Sequence, residues 1–135
     1  MKTSDLGTIA EAELLTSLTR SGYNVLVPFG GHLRYDLVID DGLKLSKVQV
    51  KHAVMKNGCL RFRTVSSTGK GVDKVVKDYL GDVDYFGVHS TELGTSYLIP
   101  VEEAPHTGEC ILRIEEAKNG QKSGIRWASD YLLDQ

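Results

Sequence analysis

The stretch that decides the fold is Tyr35-Asp36-Leu37-Val38-Ile39-Asp40, taken together with Val48-Gln49-Val50-Lys51 shortly after it. Both segments are apolar enough to form strands, and residues two apart on a strand project to the same face. If the two strands pair as a hairpin, Asp36 comes close to Gln49 and Lys51. A carboxylate and an amide oxygen suit a hard divalent cation, and a lysine suits a phosphate. The pattern therefore indicates a metal-dependent phosphodiesterase.

Composition indicates one globular domain over residues 1–135. The chain is 41% hydrophobic and 25% charged, and no apolar run approaches the roughly 18–20 residues that span a membrane. The N-terminus lacks the apolar segment of a signal peptide, so we expect a cytoplasmic protein without membrane contacts. Cys59 and Cys110 lie far apart in the sequence, and we expect both to be reduced and to act as small hydrophobes.

Charge is distributed asymmetrically, although the net charge is only −2. Between Lys44 and Lys77 the chain has nine basic residues and one acid, Asp73, so that segment carries +8 and the rest carries −10. Segregated basic charge is typical of proteins that bind a phosphate backbone. A solvated charged face is the alternative, but the position beside the candidate metal site favours nucleic-acid binding.

Hydrophobic periodicity and turn residues predict an α/β or α+β domain. The first helix, residues 4–21, is capped by Ser4 or Asp5 and ends before Gly22. Asp41-Gly42 and Asn57-Gly58 are hairpin turn sequences. The expected strands are residues 24–28, 37–40, 45–52, 59–64, 85–89, 96–101 and 111–114, the expected short helices are 72–80 and 128–133, and the expected loops are 66–71 and 119–124. This order predicts a mixed central sheet flanked by helices.

Each of the three candidate polar residues also has a structural interpretation. Asp36 could cap a loop, Lys51 could be a solvated lysine, and Gln49 could lie on an exposed face or bond to neighbouring backbone. A buried amide without a partner would cost about 1–3 kcal/mol, so Gln49 inside an apolar strand needs one. The three residues together, at this spacing, favour the functional interpretation.

A series of short motifs extends over most of the chain. They are Gly7-x-x-x-Glu11, Gly22-Tyr23, Pro28, Tyr35-Asp36-Leu37, Gln49-Val50-Lys51, Asp84-Tyr85-Phe86, Tyr97-Leu98-Ile99-Pro100-Val101 and Ile125-Arg126-Trp127-Ala128. Their order resembles the PD-(D/E)XK nuclease superfamily, and more closely the homing endonucleases encoded by bacterial group I introns. The resemblance implies a restriction-endonuclease-like fold and Mg²⁺-dependent, sequence-specific cleavage of double-stranded DNA, with Mn²⁺ able to substitute.

The resemblance also implies an active site. Its catalytic residues would be Glu11, Asp36, Gln49 and Lys51, and its metal ligands would be Glu11, Asp36, Gln49 and the backbone carbonyl of Val50. Gln49 stands where the superfamily usually has a second acid, a departure that the intron-encoded branch shares and that removes one negative charge at the metal. The helical wheel places Glu13 inside the apolar arc and Glu11 at its edge, so Glu13 is the alternative to Glu11.

We expect DNA to contact the basic segment. The candidate DNA-binding residues are Lys47, His52, Lys56, Arg61, Arg63, Lys70 and Lys74. A two-stranded ribbon fits the major groove, so the hairpin around Asn57-Gly58 is a candidate reader of base edges, and contact with phosphates alone is the alternative. Cleavage of both strands needs two active sites, which predicts a homodimer or homotetramer. A junction-resolving or restriction-type nuclease of the same fold, or a non-catalytic DNA-binding module, is the alternative function.

Overall fold

A computed structural model describes residues 2–115 and 124–133 of the chain. Within these ranges a single α-helix, α1 (Thr3–Arg20), precedes the strands, and no helix is long and apolar enough to cross a membrane. The helix begins slightly earlier than expected. Lys2 is the N-cap, and Asp5 lies in the first turn, where its carboxylate accepts a hydrogen bond from the Lys2 N–H (3.2 Å). Gly22 ends the helix with φ +95°, and the N–H groups of Gly22 and Tyr23 bond back to carbonyls of the last turn.

Ten strands follow α1 in the described residues. They are β1 (Asn24–Leu26), β2 (Leu37–Asp40), β3 (Leu45–His52), β4 (Val54–Lys56), β5 (Cys59–Arg63), β6 (Val65–Thr68), β7 (Val75–Asp78), β8 (Tyr85–Ser90), β9 (Thr95–Pro100) and β10 (Glu109–Arg113). The central sheet has the order β1-β2-β3-β8-β9, in which β3 and β8 are parallel and the other neighbours are antiparallel. β10, β5 and β4 form a second sheet, and β6 and β7 pair as a separate ribbon. The predicted mixed sheet and α+β class are confirmed.

The chain after β5 differs most from the sequence prediction. The expected loop (66–71) and short helix (72–80) form instead the β6–β7 ribbon, with a glycine-containing 3-10 turn between its strands. Val72, Val75 and Val76 have helical spacing, but their side chains are 102%, 61% and 56% exposed. The apolar spacing therefore marks no buried helix face, and the helix prediction was wrong.

Smaller differences concern the ends of elements. β1 is two residues shorter than expected, and β9 ends at Pro100, where a 3-10 turn (Val101–Glu103) begins. The expected terminal helix is a 3-10 turn, Ala128–Tyr131. Of the expected loop 119–124, only Gly124 lies within the described residues. The second sheet adds a short strand, β4, which pairs with β5 across the predicted Asn57-Gly58 turn.

The hairpin β2–β3 positions the candidate site. Residues 41–44, between the paired Asp40 and Leu45, form its turn, with φ +92° at Gly42, and Leu37 pairs with Val48. Asp36 immediately precedes β2 and donates its backbone N–H to the carbonyl of Val48 (2.9 Å). The hairpin predicted from the sequence is confirmed, and it brings Asp36 alongside the end of β3.

α1 packs on one face of the central sheet. Leu14 and Leu18 of the helix are fully buried in one cluster with Leu37 and Val48 of the sheet. Gly87 of β8 permits the close approach, because a Cβ there would lie 3.0 Å from Leu14 Cδ1 and 3.0 Å from Val48 Cγ1. The lack of a side chain at Gly87 therefore sets how closely the helix lies on the sheet.

Replacing Gly87 with alanine is expected to lower the free energy of unfolding by about 1–3 kcal/mol, the usual cost of inserting a methyl group into a packed core. Urea unfolding of both proteins measures this difference. Gly7→Ala is the matched control, because a Cβ at Gly7 meets nothing within 4 Å. That helical substitution should instead stabilise the protein by roughly 0.5–1 kcal/mol. Equal effects of the two substitutions would contradict the packing argument.

Candidate active site

Asp36 is held at the start of β2 by the backbone of β3. Its carboxylate Oδ2 accepts a hydrogen bond from the N–H of Val50 at 2.8 Å. Burial raises the pKa of the Asp36 carboxyl, while the Val50 hydrogen bond and the positive charge of Lys51 act in the opposite direction without cancelling it. The carboxylate is thus oriented and partly removed from water, and a cation beside it would stabilise its charged form.

Glu11, rather than Glu13, is the helix acid that lies near Asp36. The pKa of the half-buried Glu11 carboxyl is raised by burial and by the negative charge of Asp36, so the two carboxylates are within electrostatic reach. Glu13 is exposed and acts on His89 of β8, whose pKa is lowered chiefly by burial in spite of the opposing charge of Glu13. Of the two helix acids that the sequence analysis considered, Glu11 is the one whose pKa responds to the charge of Asp36.

Gln49 and Val50 supply the other two oxygens of the expected ligand set. The half-buried amide of Gln49 donates through Nε2 to the carbonyl of Val50 at 3.4 Å, a long hydrogen bond. Gln49 therefore meets neighbouring backbone, one of the alternatives considered for it, and its Oε1 is the atom that a cation would require. Within the described ranges, no group of three or more His, Cys, Asp or Glu residues could hold a metal ion. The candidate donors at the ends of β2 and β3 and on α1 are two carboxylates, an amide and a carbonyl. That set fits Mg²⁺, which takes oxygen ligands and few carboxylates.

Lys51 is not a solvated lysine. Its side chain is half-buried, and Nζ donates to the hydroxyl of Tyr79 at 3.2 Å. Tyr79 itself is only 5% exposed and packs edge-on against Phe86, with the ring centroids 5.6 Å apart. Sequence reasoning missed Tyr79, which lay in the expected helix 72–80 and was given no role at the site.

Arg34 was also missed, and it contacts the ring of the same tyrosine. Its guanidinium carbon lies 4.0 Å from the centroid of the Tyr79 ring. Its nitrogens donate to the Asp82 carboxylate (3.2 Å), the Ser66 hydroxyl (2.5 Å) and the carbonyl of Asp78. The arginine therefore joins the loop before β2 to both strands of the β6–β7 ribbon.

A groove of about 570 Å³ lies between the first turns of α1 and β5, and several expected DNA-binding residues line it. His52, Arg61 and Arg63 contribute to its wall. Arg63 is exposed, whereas Arg61 forms an ion pair with Glu109 (3.0 Å) and His52 bonds to the Thr91 hydroxyl (3.0 Å). Only Arg63 of these three presents its charge without a described protein partner.

The other expected DNA-binding residues lie outside this groove. Lys47 is exposed and its ammonium is 5.4 Å from the centroid of the Tyr35 ring, while Lys56 is exposed on β4. Lys70 and Lys74 are exposed on the turn of the β6–β7 ribbon. The expected DNA-binding residues therefore do not all line one groove.

The hairpin around Asn57-Gly58 is less open than expected. The Gly58 carbonyl accepts hydrogen bonds from the N–H groups of Ile114 (3.0 Å) and Glu115 (3.2 Å), so the chain after β10 covers one side of the turn. The β6–β7 ribbon, by contrast, pairs with no other described strand, and its turn is exposed. Of the two hairpins, the β6–β7 ribbon is the better shaped to enter a groove of DNA.

The candidate site thus combines an acid before a strand, an acid on the first helix whose pKa responds to its charge, and a lysine at the end of the next strand of a mixed sheet. The chain belongs to the PD-(D/E)XK endonuclease family, whose family model matches residues 1–134. Among solved structures, the chain is similar to that of a bacterial homing endonuclease, I-Ssp6803I. That similarity has a TM-score of 0.78 and 28% sequence identity, and covers 98% of this chain and 89% of the other. No curated protein sequence matches the chain significantly.

Proposed function

We propose that this chain is a Mg²⁺-dependent, sequence-specific endonuclease of the homing type that hydrolyses phosphodiester bonds in double-stranded DNA, with residues 1–135 as one nuclease domain. The observation that carries the proposal is the Asp36 carboxylate held at the end of β3 by the Val50 N–H at 2.8 Å, where it also responds to the charge of Lys51 and acts on Glu11. Membership of the endonuclease family and similarity to a homing endonuclease support the reaction class and the substrate.

The residues of the site divide into metal ligands and a cation. Glu11, Asp36, Gln49 and the carbonyl of Val50 would hold Mg²⁺, and Mn²⁺ would substitute. When bound, the ion supplies Lewis acidity and positive charge for phosphodiester hydrolysis. The Val50 N–H keeps the Asp36 carboxylate oriented by its 2.8 Å hydrogen bond. Lys51 presents its ammonium to the attacked phosphate, where it offsets the negative charge that develops in the transition state.

DNA binding is assigned to two exposed basic features. The β6–β7 ribbon carries Lys70 and Lys74 at its turn, and β5 carries Arg63 at the edge of the groove beside α1. Lysines contact phosphates without regard to sequence, and arginine can read guanine edges. Lys47, His52, Lys56 and Arg61 complete the proposed set, with Arg61 required to leave Glu109 before it contacts DNA.

Cleavage of both strands is proposed to require a homo-oligomer, a dimer or a tetramer. Apolar side chains that are unusually exposed follow β1, an edge strand of the central sheet. Val27 is 62% exposed, Phe29 107% and Leu33 50%, and Leu43 in the turn between β2 and β3 is 96% exposed. These side chains are the candidate subunit contact, since contiguous exposed apolar surface marks an interaction site, and two copies would place one active site on each strand.

Cleavage of a randomised duplex DNA library tests the proposal. With Mg²⁺, we expect discrete cuts within one enriched long sequence, and none in EDTA. Four-way junctions without that sequence form the comparison substrate. Cleavage of the junctions regardless of sequence would replace the proposal with a junction-resolving nuclease. DNA binding without cleavage in Mg²⁺ or Mn²⁺ would reduce the chain to a binding module.

Replacing Lys70 and Lys74 together with glutamine is expected to weaken DNA binding and its salt dependence. If both contact phosphates, the slope of log affinity against log salt concentration should fall in magnitude by about 2. Fluorescence anisotropy of labelled DNA across a salt series in EDTA measures the slope. Arg20→Gln is the control, because Arg20 is exposed at the far end of α1, outside the basic segment. The ribbon assignment is wrong if the double variant keeps the wild-type slope.

A further inference from the structure

The side-chain hydroxyl of Tyr79 contacts the ammonium of Lys51. The tyrosine follows the last strand of the β6–β7 ribbon and is 5% exposed. Its hydroxyl accepts a hydrogen bond from Lys51 Nζ at 3.2 Å, and Nζ also lies 4.9 Å from the centre of its ring. A buried tyrosine hydroxyl usually needs a partner, and here that partner is the ammonium of the residue placed in the site.

A lysine needs such a contact to act from a defined position. Its side chain has four rotatable bonds, and its ammonium has no preferred direction of its own. The backbone of β3 fixes only the Cα of Lys51, through the pairing of Lys51 with Val88 on β8. The hydroxyl of Tyr79 restricts the far end of the side chain, which is the end that would meet a phosphate.

Arg34 holds the ring of Tyr79 in turn. The guanidinium stacks over the ring at 4.0 Å from its centroid and is itself held by Asp82, Ser66 and the carbonyl of Asp78. Ser66 and Asp78 belong to the two strands of the ribbon, close to its base. The support of Tyr79 and the base of the ribbon are therefore one set of contacts.

We propose that Tyr79 is the positioning residue of Lys51, and that Arg34 joins it to the base of the β6–β7 ribbon. The same contacts of Arg34 and Tyr79 thus hold two parts of the protein. One is the ribbon that is proposed to contact DNA, and the other is the lysine that is proposed to contact the scissile phosphate. The catalytic side of this inference rests on the proposed function, whereas the restriction of the lysine side chain does not.

Tyr79→Phe tests the inference with little disturbance of the core. Phenylalanine keeps the ring that packs against Phe86 and stacks under Arg34, and removes only the hydroxyl. We expect the single-turnover cleavage rate to fall about tenfold, the size of one charge-assisted hydrogen bond, and DNA affinity in EDTA to stay within about twofold. Tyr97→Phe is the matched control, because Tyr97 is 3% exposed and its hydroxyl bonds to Thr95 (2.8 Å) away from the site. Equal cleavage rates for the two variants would overturn the proposal.

A second measurement needs neither DNA nor cleavage. In ¹⁵N NMR of the side-chain ammonium groups, the order parameter of Lys51 should exceed that of the exposed Lys70 in the wild type. It should drop in Tyr79→Phe and stay unchanged in Tyr97→Phe. Lys51 as mobile as Lys70 in the wild type would overturn the positioning role, even if Tyr79→Phe did not fold. A protein that cleaves no DNA but shows the restrained Lys51 would refute the proposed function and leave the positioning role intact.

Discussion

Asp36→Asn is expected to abolish Mg²⁺-dependent DNA cleavage, with a loss of roughly 10³-fold or more in the single-turnover rate. The carboxylate of Asp36 is the better oriented of the two acids, since Oδ2 accepts the Val50 N–H. Asparagine can still accept that hydrogen bond but carries no charge for the cation. Metal ions contribute several kcal/mol of transition-state stabilisation, and each 1.36 kcal/mol is tenfold in rate. Cleavage of a labelled duplex by excess enzyme measures the effect.

Two controls separate this loss of charge from damage to the fold. Asp41→Asn makes the same chemical change in the turn of the same hairpin, where the carboxylate accepts the N–H groups of Leu43 and Lys44, and it should leave cleavage unchanged. The second control is thermal unfolding at neutral pH in EDTA. Because the pKa of Asp36 is raised in the folded protein, folding favours the protonated carboxyl. The stability that the protonated form contributes is complete below the unfolded-state pKa and is lost as the pH rises through the folded-state pKa.

At neutral pH the ionised Asp36 therefore destabilises the metal-free fold. Asp36→Asn should melt at or above the wild-type temperature, and only the wild type should gain stability from added Mg²⁺. A clearly lower melting temperature for the variant, with or without loss of cleavage, would mean that Asp36 serves the fold rather than the metal.

Lys51→Met is expected to lower the cleavage rate roughly 10²–10³-fold while DNA affinity changes little. Methionine keeps much of the length and the apolar stem of lysine and removes the ammonium, which is worth about this much when a preorganised donor faces developing charge. The ammonium donates to the Tyr79 hydroxyl, and its charge acts on Asp36 of the candidate site. Its loss should therefore lower the rate of the chemical step and leave DNA binding nearly unchanged. Parallel measurements of single-turnover rate and of affinity in EDTA separate the two effects.

Lys44→Met is the matched control for the lysine. Lys44 is exposed beside the turn of the same hairpin, so its replacement removes an equal charge from the same region of the chain. We expect no more than a small change in cleavage rate. Similar losses for Lys44→Met and Lys51→Met would reduce the role of Lys51 to general electrostatics, and a wild-type rate for Lys51→Met would remove it from the site.

Local features of the sequence were enough to predict the hairpin that holds the site. Asp41-Gly42 marks the turn, and the apolar segments on both sides of it predict the strands that pair in the register bringing Asp36 beside Val50. The choice of Glu11 over Glu13 depended on the family resemblance. A helical wheel shows which residues share a face of the helix, but it does not show which part of the protein that face contacts. How α1 lies on the sheet depends on the close approach at Gly87, which is a property of the assembled fold.

Contacts between distant residues could not be predicted in this way. Arg34 meets Asp82 across 48 positions, and Lys51 meets Tyr79 across 28. Neither pair has a spacing that marks a shared face of one helix or strand. The ribbon was missed for a different reason, since its exposed valines repeat at intervals that a buried helix would also show. A hydrophobic period indicates a buried face only where one is buried, and the ribbon buries only its base, at Val65.

The parallel pairing of β3 with β8 affects when the central sheet can form during synthesis of the chain. The hairpin β2–β3 closes between neighbours in the chain, but β8 begins at Tyr85, more than thirty residues after the end of β3. Closing so long a loop costs entropy before its contacts are gained, and such pairings form late. A nascent chain that has emerged only as far as β7 can form the hairpin but leaves one edge of β3 unpaired. Nucleolytic competence should therefore be acquired only after synthesis has passed β8.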